Sequence, residues 1–397
     1  MPPARGHSRT PRLLLLSLLL LALAATLLTP FSRTARTAER RRRPVTLRRA
    51  TSLDEAPALT GAAEPVETRV EGNVDDEPSV PSVPPTSVRE GMTLVLAVRI
   101  NDNELPRALA LVASVLKFAE PGAVARLLVV VPDREKELFE LAANALTRYA
   151  SGTPAFSIDV VGDTAVVPTT AAELATLAPA TSAREHENRG GRSIGYRIQM
   201  LAKLGASRLI DTAHYVTLDA DVLLTRPLAA EDLLDDGGRA LAMRDPANQR
   251  PGWFECARTV LQAPPECVST AYGGVTPAVL ETRTARELLD GIENTHRESW
   301  ERALFRQLDS GCDWTEYALY WTWACKAGVL QARHSFTNAL YDPRDFQWNA
   351  YKSWDFARVF GGGGGGSGGG RPVFKVAQGI GGSFPSEILR AIAPHLA

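Results

Sequence analysis

From residue 92 onward, short continuous apolar runs alternate with segments whose apolar positions recur at helical spacing. Residues 93–100 (TLVLAVRI), 125–131 (ARLLVVV) and 156–161 are β-forming runs, while 104–118 and 133–149 carry helical periodicity. A fourth run opens the stretch HYVTLDADVLLTRPL, where Tyr215 to Leu218 read as a strand and Asp219 and Asp221 stand where it should end. Strands of this kind, separated by helices, predict an α/β fold with a mostly parallel sheet flanked by helices on both faces. No G-x-G-x-x-G or G-x-x-x-x-G-K-[ST] pattern is present, which removes dinucleotide-binding and P-loop readings.

The predicted helix over 193–208 has two faces. At 100° per residue Ile194, Ile198 and Leu201 lie on one side and Tyr196, Gln199 and Lys203 on the other. The second face is either solvated surface or a surface turned toward a ligand beside the open end of the sheet. Farther on, Asp313-Trp-Thr-Glu316 has the spacing of a capping box, with Asp313 as N-cap of a helix that stops at Gly328.

The pattern before residue 92 is different. Leu13 to Leu28 carries no charge and follows Arg5, Arg9 and Arg12. As a helix these residues span about 24 Å, enough for the thinner membranes of the early secretory pathway. A cleaved signal peptide competes with this reading, but no clear small-x-small cleavage site follows and the leucine density favours an uncleaved anchor over 13–29. Residues 1–12 form a basic tail. Residues 30–90 mix Pro, Glu, Thr, Ser, Val and Ala without period, the composition of a disordered stem. A single domain is expected over 91–397, interrupted by a Gly-rich loop at 361–370 and closed by a strand at 373–378.

Charge changes the picture of partners. The formal net charge of −1 hides eleven Arg against one acid in residues 1–50, which leaves 33 basic against 44 acidic residues, or −11, for the remainder. An acidic domain argues against a nucleic-acid partner. The Arg residues behind the apolar run would, by the positive-inside count alone, keep the domain in the cytosol. Cys256, Cys267, Cys312 and Cys325 match no zinc module, and they allow three full disulfide pairings that spacing does not rank.

Two acids beyond a strand end suit a divalent cation and a diphosphate, because ligands of open parallel sheets gather at the carboxyl ends of the strands. The order GYRIQMLAKL, then YVTLDADVLLTRP, then Trp300 and TEYALY at 315–320 resembles the nucleotide-diphospho-sugar glycosyltransferases of GT-A (Rossmann-like) fold, most closely an uncharacterised DUF-type branch. The resemblance implies Mn²⁺ or Mg²⁺ on Asp221, with Asp219 on ribose, metal or both. His334 is its candidate third metal ligand, and Glu316 its candidate base toward the acceptor hydroxyl. Further donor-binding candidates are Arg99, Asn101 and Asp102 at the end of the first strand, Gln199 and Lys203, and the close-approach pair Gly273 and Gly274. Trp253, Tyr272, Trp314, Trp348 and Trp354 are candidate platforms for sugar rings. A glycan, protein or lipid acceptor and a lumenal, Golgi or ER, membrane-anchored setting complete what the resemblance implies. Two alternatives use the same residues: a haloacid-dehalogenase-type phosphohydrolase, whose Asp-x-Asp prefers Thr or Val where Leu223 stands, and a membrane-tethered carbohydrate-binding protein without turnover.

Overall fold

The computed structural model describes residues 91–99, 104–149, 154–178, 194–243, 251–268, 276–337 and 373–376. The first apolar run forms β1 (Met92–Ala97), and every residue in it is buried, as a strand covered on both faces requires. Then come α1 (Glu104–Phe118), β2 (Val124–Val131), α2 (Lys136–Tyr149) and β3 (Ser157–Gly162), each within a few residues of its expected place. A short α3 (Ala171–Leu177) was not expected, although Thr170 and Glu173 form the capping box that starts it. The chain continues through α4 (Ile194–Gly205), β4 (His214–Leu218), β5 (Val222–Leu224), β6 (Ala240–Met243) and α5 (Pro251–Leu261). It ends through β7 (Ala278–Glu281), α6 (Thr282–His296), α7 (Trp300–Asp309), α8 (Glu316–Lys326), α9 (Leu330–Arg333), β8 (His334–Thr337) and β9 (Phe374–Val376).

The main sheet has the order β3-β2-β1-β4-β7. β1 to β4 are mutually parallel, and β7 runs antiparallel to β4 at the edge. The chain lays β2 and β3 to one side of β1 and β4 to the other, so the order reverses between β1 and β4. A parallel sheet opens a crevice at such a reversal, beyond the carboxyl ends of its strands. The two-stranded pairs β5–β9 and β6–β8 lie outside this sheet.

Alternate residues of β1 feed two cores. Leu94 and Leu96 pack with Leu109, Leu111 and Val115 of α1 and Phe139 of α2. Val95 and Ala97 face the larger core, built from α4 to α8 and holding the fully buried Trp300 and Trp314. Helix contact there is close enough that a Cβ at Gly291 would fall 2.2 Å from the Trp323 ring.

Two disulfides tie the larger layer. Cys256 of α5 joins Cys312 ahead of α8, and Cys267 joins Cys325 within α8. Each closes a long loop, so reducing the native protein is expected to cost roughly 2–4 kcal/mol per bridge. Urea denaturation with and without reductant measures this, and an unchanged midpoint would contradict the pairing.

Among the described residues no helix is long and apolar enough to cross a membrane. The expected anchor at 13–29, the stem at 30–90 and the Gly-rich tract at 361–370 lie outside the described residues, as do Tyr272, Trp348 and Trp354.

Candidate active site

β4 leaves the sheet in a tight turn, closed by Val222 N donating to Asp219 O at 3.0 Å. The buried β5 residues Val222, Leu223 and Leu224 hold the far side of that turn. Both carboxylates therefore stand at the carboxyl end of β4, next to β1, at the reversal in strand order. The backbone of Asp219 is fixed as well: its N–H donates to Thr276 Oγ1 at 3.2 Å, and Thr276 donates to Thr217 O at 2.9 Å.

The second face of α4 turns inward. Gln199 and Lys203 are each 3% exposed, so the solvated-surface reading fails. Gln199 Nε2 donates to Ala97 O at 2.8 Å and to Asp219 Oδ1 at 3.1 Å, which links the ends of β1 and β4. Lys203 Nζ lies 2.7 Å from Asp219 Oδ1 and 2.8 Å from Glu316 Oε1. It also reaches Tyr317 OH at 3.4 Å, and that hydroxyl is 2.9 Å from Thr217 Oγ1. Burial by itself would pull the Lys203 pKa down, but Asp219 and Glu316 outweigh it and hold the ammonium well above its usual range. Lys203 thus grips two carboxylates of the chain.

Asp221 has the opposite surroundings. Its Oδ1 is buried without a hydrogen-bond partner among the described residues. Burial, then the charges of Asp219 and Glu104, push the Asp221 carboxyl up to about 7, against the lowering pull of Arg99 and Arg107. Arg99 is held by Glu104 at 2.9 Å, with Arg107 on the same carboxylate at 3.6 Å. Burial works against the Arg99 charge, and Glu104, Asp219 and Asp221 more than offset it. A carboxylate that is desolvated, crowded by like charge and left with one oxygen unpartnered suits a bound cation.

The other expected residues are distributed as follows. The capping box on Asp313 does not form: Thr315 is the N-cap of α8, its side chain accepting from Ala318 N at 3.1 Å. Asp313 instead pairs with Arg197 and accepts from Trp253 Nε1 at 3.0 Å. Glu316 is 3% exposed and bound to Lys203, so it lies inside the ion-pair network. His334 is not beside the acids. Its Nε2 meets Tyr320 OH at 2.9 Å, and that hydroxyl accepts from Glu281 N, opposite His214 at the start of β4. The acids are at the other end of the same strand, about 15 Å away by strand rise. Trp314 is fully buried, its indole N–H donating to Leu304 O at 2.8 Å, so it packs the core and offers no platform. Asn101, Asp102, Gly273 and Gly274 lie outside the described residues.

Thr276, Tyr317 and Glu104 serve the site without having been expected there. Tyr317 lay within the TEYALY motif and Glu104 is an acid opening the helix after the first strand; Thr276 carried no signal.

The model of a family described as a family of unknown function, DUF6492, matches residues 89–396. No curated protein matches the chain. Among solved structures, the apo form of mouse xyloside xylosyltransferase 1 is similar with a TM-score of 0.40 at 14% identity, over 72% of this chain and 97% of that one. The apo structure of the bifunctional glycosyltransferase WbbM is similar at 0.37 and 15%, over 65% of this chain and 40% of that one. Likeness at this level carries no argument about chemistry.

Proposed function

We propose that this chain, which belongs to the DUF6492 family of unknown function, is a glycosyltransferase that moves a sugar from a nucleotide-diphospho-sugar with the help of Mn²⁺ or Mg²⁺. The observation that carries the reading is Asp221, whose buried Oδ1 lacks a donor beside Asp219 at the strand-order reversal. Hard oxygen donors of this kind fit either cation. Among the described residues no three His, Cys, Asp or Glu are grouped to hold a metal. A cation can be bound through one or two carboxylates and completed by substrate phosphates. When bound, it would offset charge on the departing nucleoside diphosphate.

The chain's own residues divide the remaining work. Gln199 and Lys203 orient Asp219, leaving Asp221 to face the ion. Arg99, which interacts electrostatically with both acids, is the residue this reading assigns to a phosphate oxygen. Glu316 acts as a positioning residue through Lys203 in this reading. Asn101, Asp102, Gly273 and Gly274 belong to it as donor-side residues on sequence grounds alone. A glycan or glycoconjugate acceptor follows from the reaction class. The two disulfides favour an oxidising lumen, in keeping with a membrane-tethered domain behind residues 13–29.

A thermal-shift series of the full chain with UDP, GDP and CMP sugars, with and without Mn²⁺, tests this. A donor near a hundred times its Kd should stabilise the fold by roughly 2.7 kcal/mol, and only with the metal present. A cooperative melt that no donor shifts would sink the reading.

A further inference from the structure

We propose that the groove between α5 and the connection from α7 to α8 is a carbohydrate subsite, the seat of the acceptor. The acceptor role rests on the transferase reading; the sugar site itself does not. The groove is a shallow, open depression of about 690 Å³, room for a small oligosaccharide lying along the surface. Its walls carry Trp253, Thr259, Gln307, Ser310 and Asp313, an aromatic face set among hydroxyl, amide and carboxylate groups. Sugar rings stack their C–H faces on indoles and exchange hydrogen bonds with such groups.

The groove is held in shape before any ligand arrives. The Trp253 indole is pinned by its N–H to Asp313 Oδ2. Asp313 is in turn held by Arg197, whose side chain is 6% exposed and which also donates to Trp314 O at 2.7 Å. The Cys256–Cys312 bridge ties one wall to the other. Little ordering is therefore left for binding to impose.

Its position relates it to the acids. α8 begins at Glu316, in contact with Lys203 and through it with Asp219, and Asp313 lies three residues upstream of that helix start. Arg197 precedes Gln199 by two residues on α4. The groove is thus joined to the acids through α4 and α8, by Arg197 on Asp313 and Lys203 on Glu316 and Asp219. Among the described residues no lysine or arginine lines the groove, and its carboxylates Glu255 and Asp313 are each paired, with Arg258 and Arg197, so a neutral sugar suits it better than an acidic one.

The experiment titrates the full chain with neutral di- and trisaccharides of glucose, galactose, mannose, xylose and N-acetylglucosamine, read by isothermal titration calorimetry. The expected result is millimolar binding of at least one sugar, weakened at least about tenfold in Trp253→Ala. Thr259→Trp, which fills the groove, should lose binding too, and it decides the matter if the first variant fails to fold. No binding of any sugar by the native chain, or equal binding by folded variants, would overturn the site. A bound sugar without a metal-dependent nucleotide shift would keep the sugar site and sink the transferase reading.

Discussion

Replacing Lys203 with Met is expected to remove about 3–5 kcal/mol of stability, the cost of breaking a buried ion pair by deleting one partner. Methionine keeps the apolar stem of the side chain, so lost packing is a small part of that cost. The loss comes chiefly from Glu316, whose side chain is 4% exposed and has the ammonium at 2.8 Å. Asp219 is 29% exposed and can recover water. A melting midpoint lower by on the order of 10 °C should accompany the change. The second substitution Glu316→Gln, added to Lys203→Met, should restore most of the stability because it removes the stranded charge. Donor binding should stay weak in the double variant, since Asp219 has lost the cation that orients it. Urea denaturation of Lys203→Met, Glu316→Gln and the double variant measures the coupling; a Lys203→Met protein that melts with the native one would show that no such network forms.

Asp221→Asn should act in the opposite direction on stability while impairing function. Turnover and metal-dependent donor binding should fall by roughly a hundredfold to a thousandfold, the loss associated with one transition-state electrostatic contact. The metal-free fold, in contrast, should become more stable at neutral pH. The Asp221 carboxyl, pushed up to about 7 first by burial and then by Asp219 and Glu104, holds its proton to higher pH when folded than when unfolded. The folded state therefore binds more protons between the ordinary carboxylate range and about pH 7. Stability falls as pH rises through that window and levels off above it. Asparagine removes the slope, and a divalent cation should flatten it in the native protein. Melting from pH 4 to 8 in chelator and in Mn²⁺ tests this; parallel curves for native and variant protein would refute the penalty on Asp221.

Much of the architecture was legible before the structure. β1 and β2 are continuous apolar runs because strands buried on both faces need no polar positions, and they fall where the pattern put them. Asp219 and Asp221 end the fourth strand as expected, since an apolar run that meets two acids has to leave the core. The site's supporting contacts were less accessible. Gln199 and Lys203 share a helix face by simple periodicity, but that face is buried because of residues up to 114 positions away. Asp313 and Glu316 have capping-box spacing, yet Thr315 takes the cap and Arg197 and Lys203 take the two acids. His334 illustrates the same limit, since its distance from Asp221 depends on which end of β4 its strand approaches.

By itself, then, the sequence determined the alternation of strands and helices, the acidic turn after β4 and the acidic balance of the domain. Each of these follows from local periodicity or from counting. Only the tertiary structure decided the pairing of the four cysteines, the burial of the Gln199–Lys203 face, the grip of Lys203 on both Asp219 and Glu316, and the isolation of Asp221. Those depend on strand order and helix packing, which bring distant charges to within 3 Å of one another, and no spacing along the chain encodes that distance.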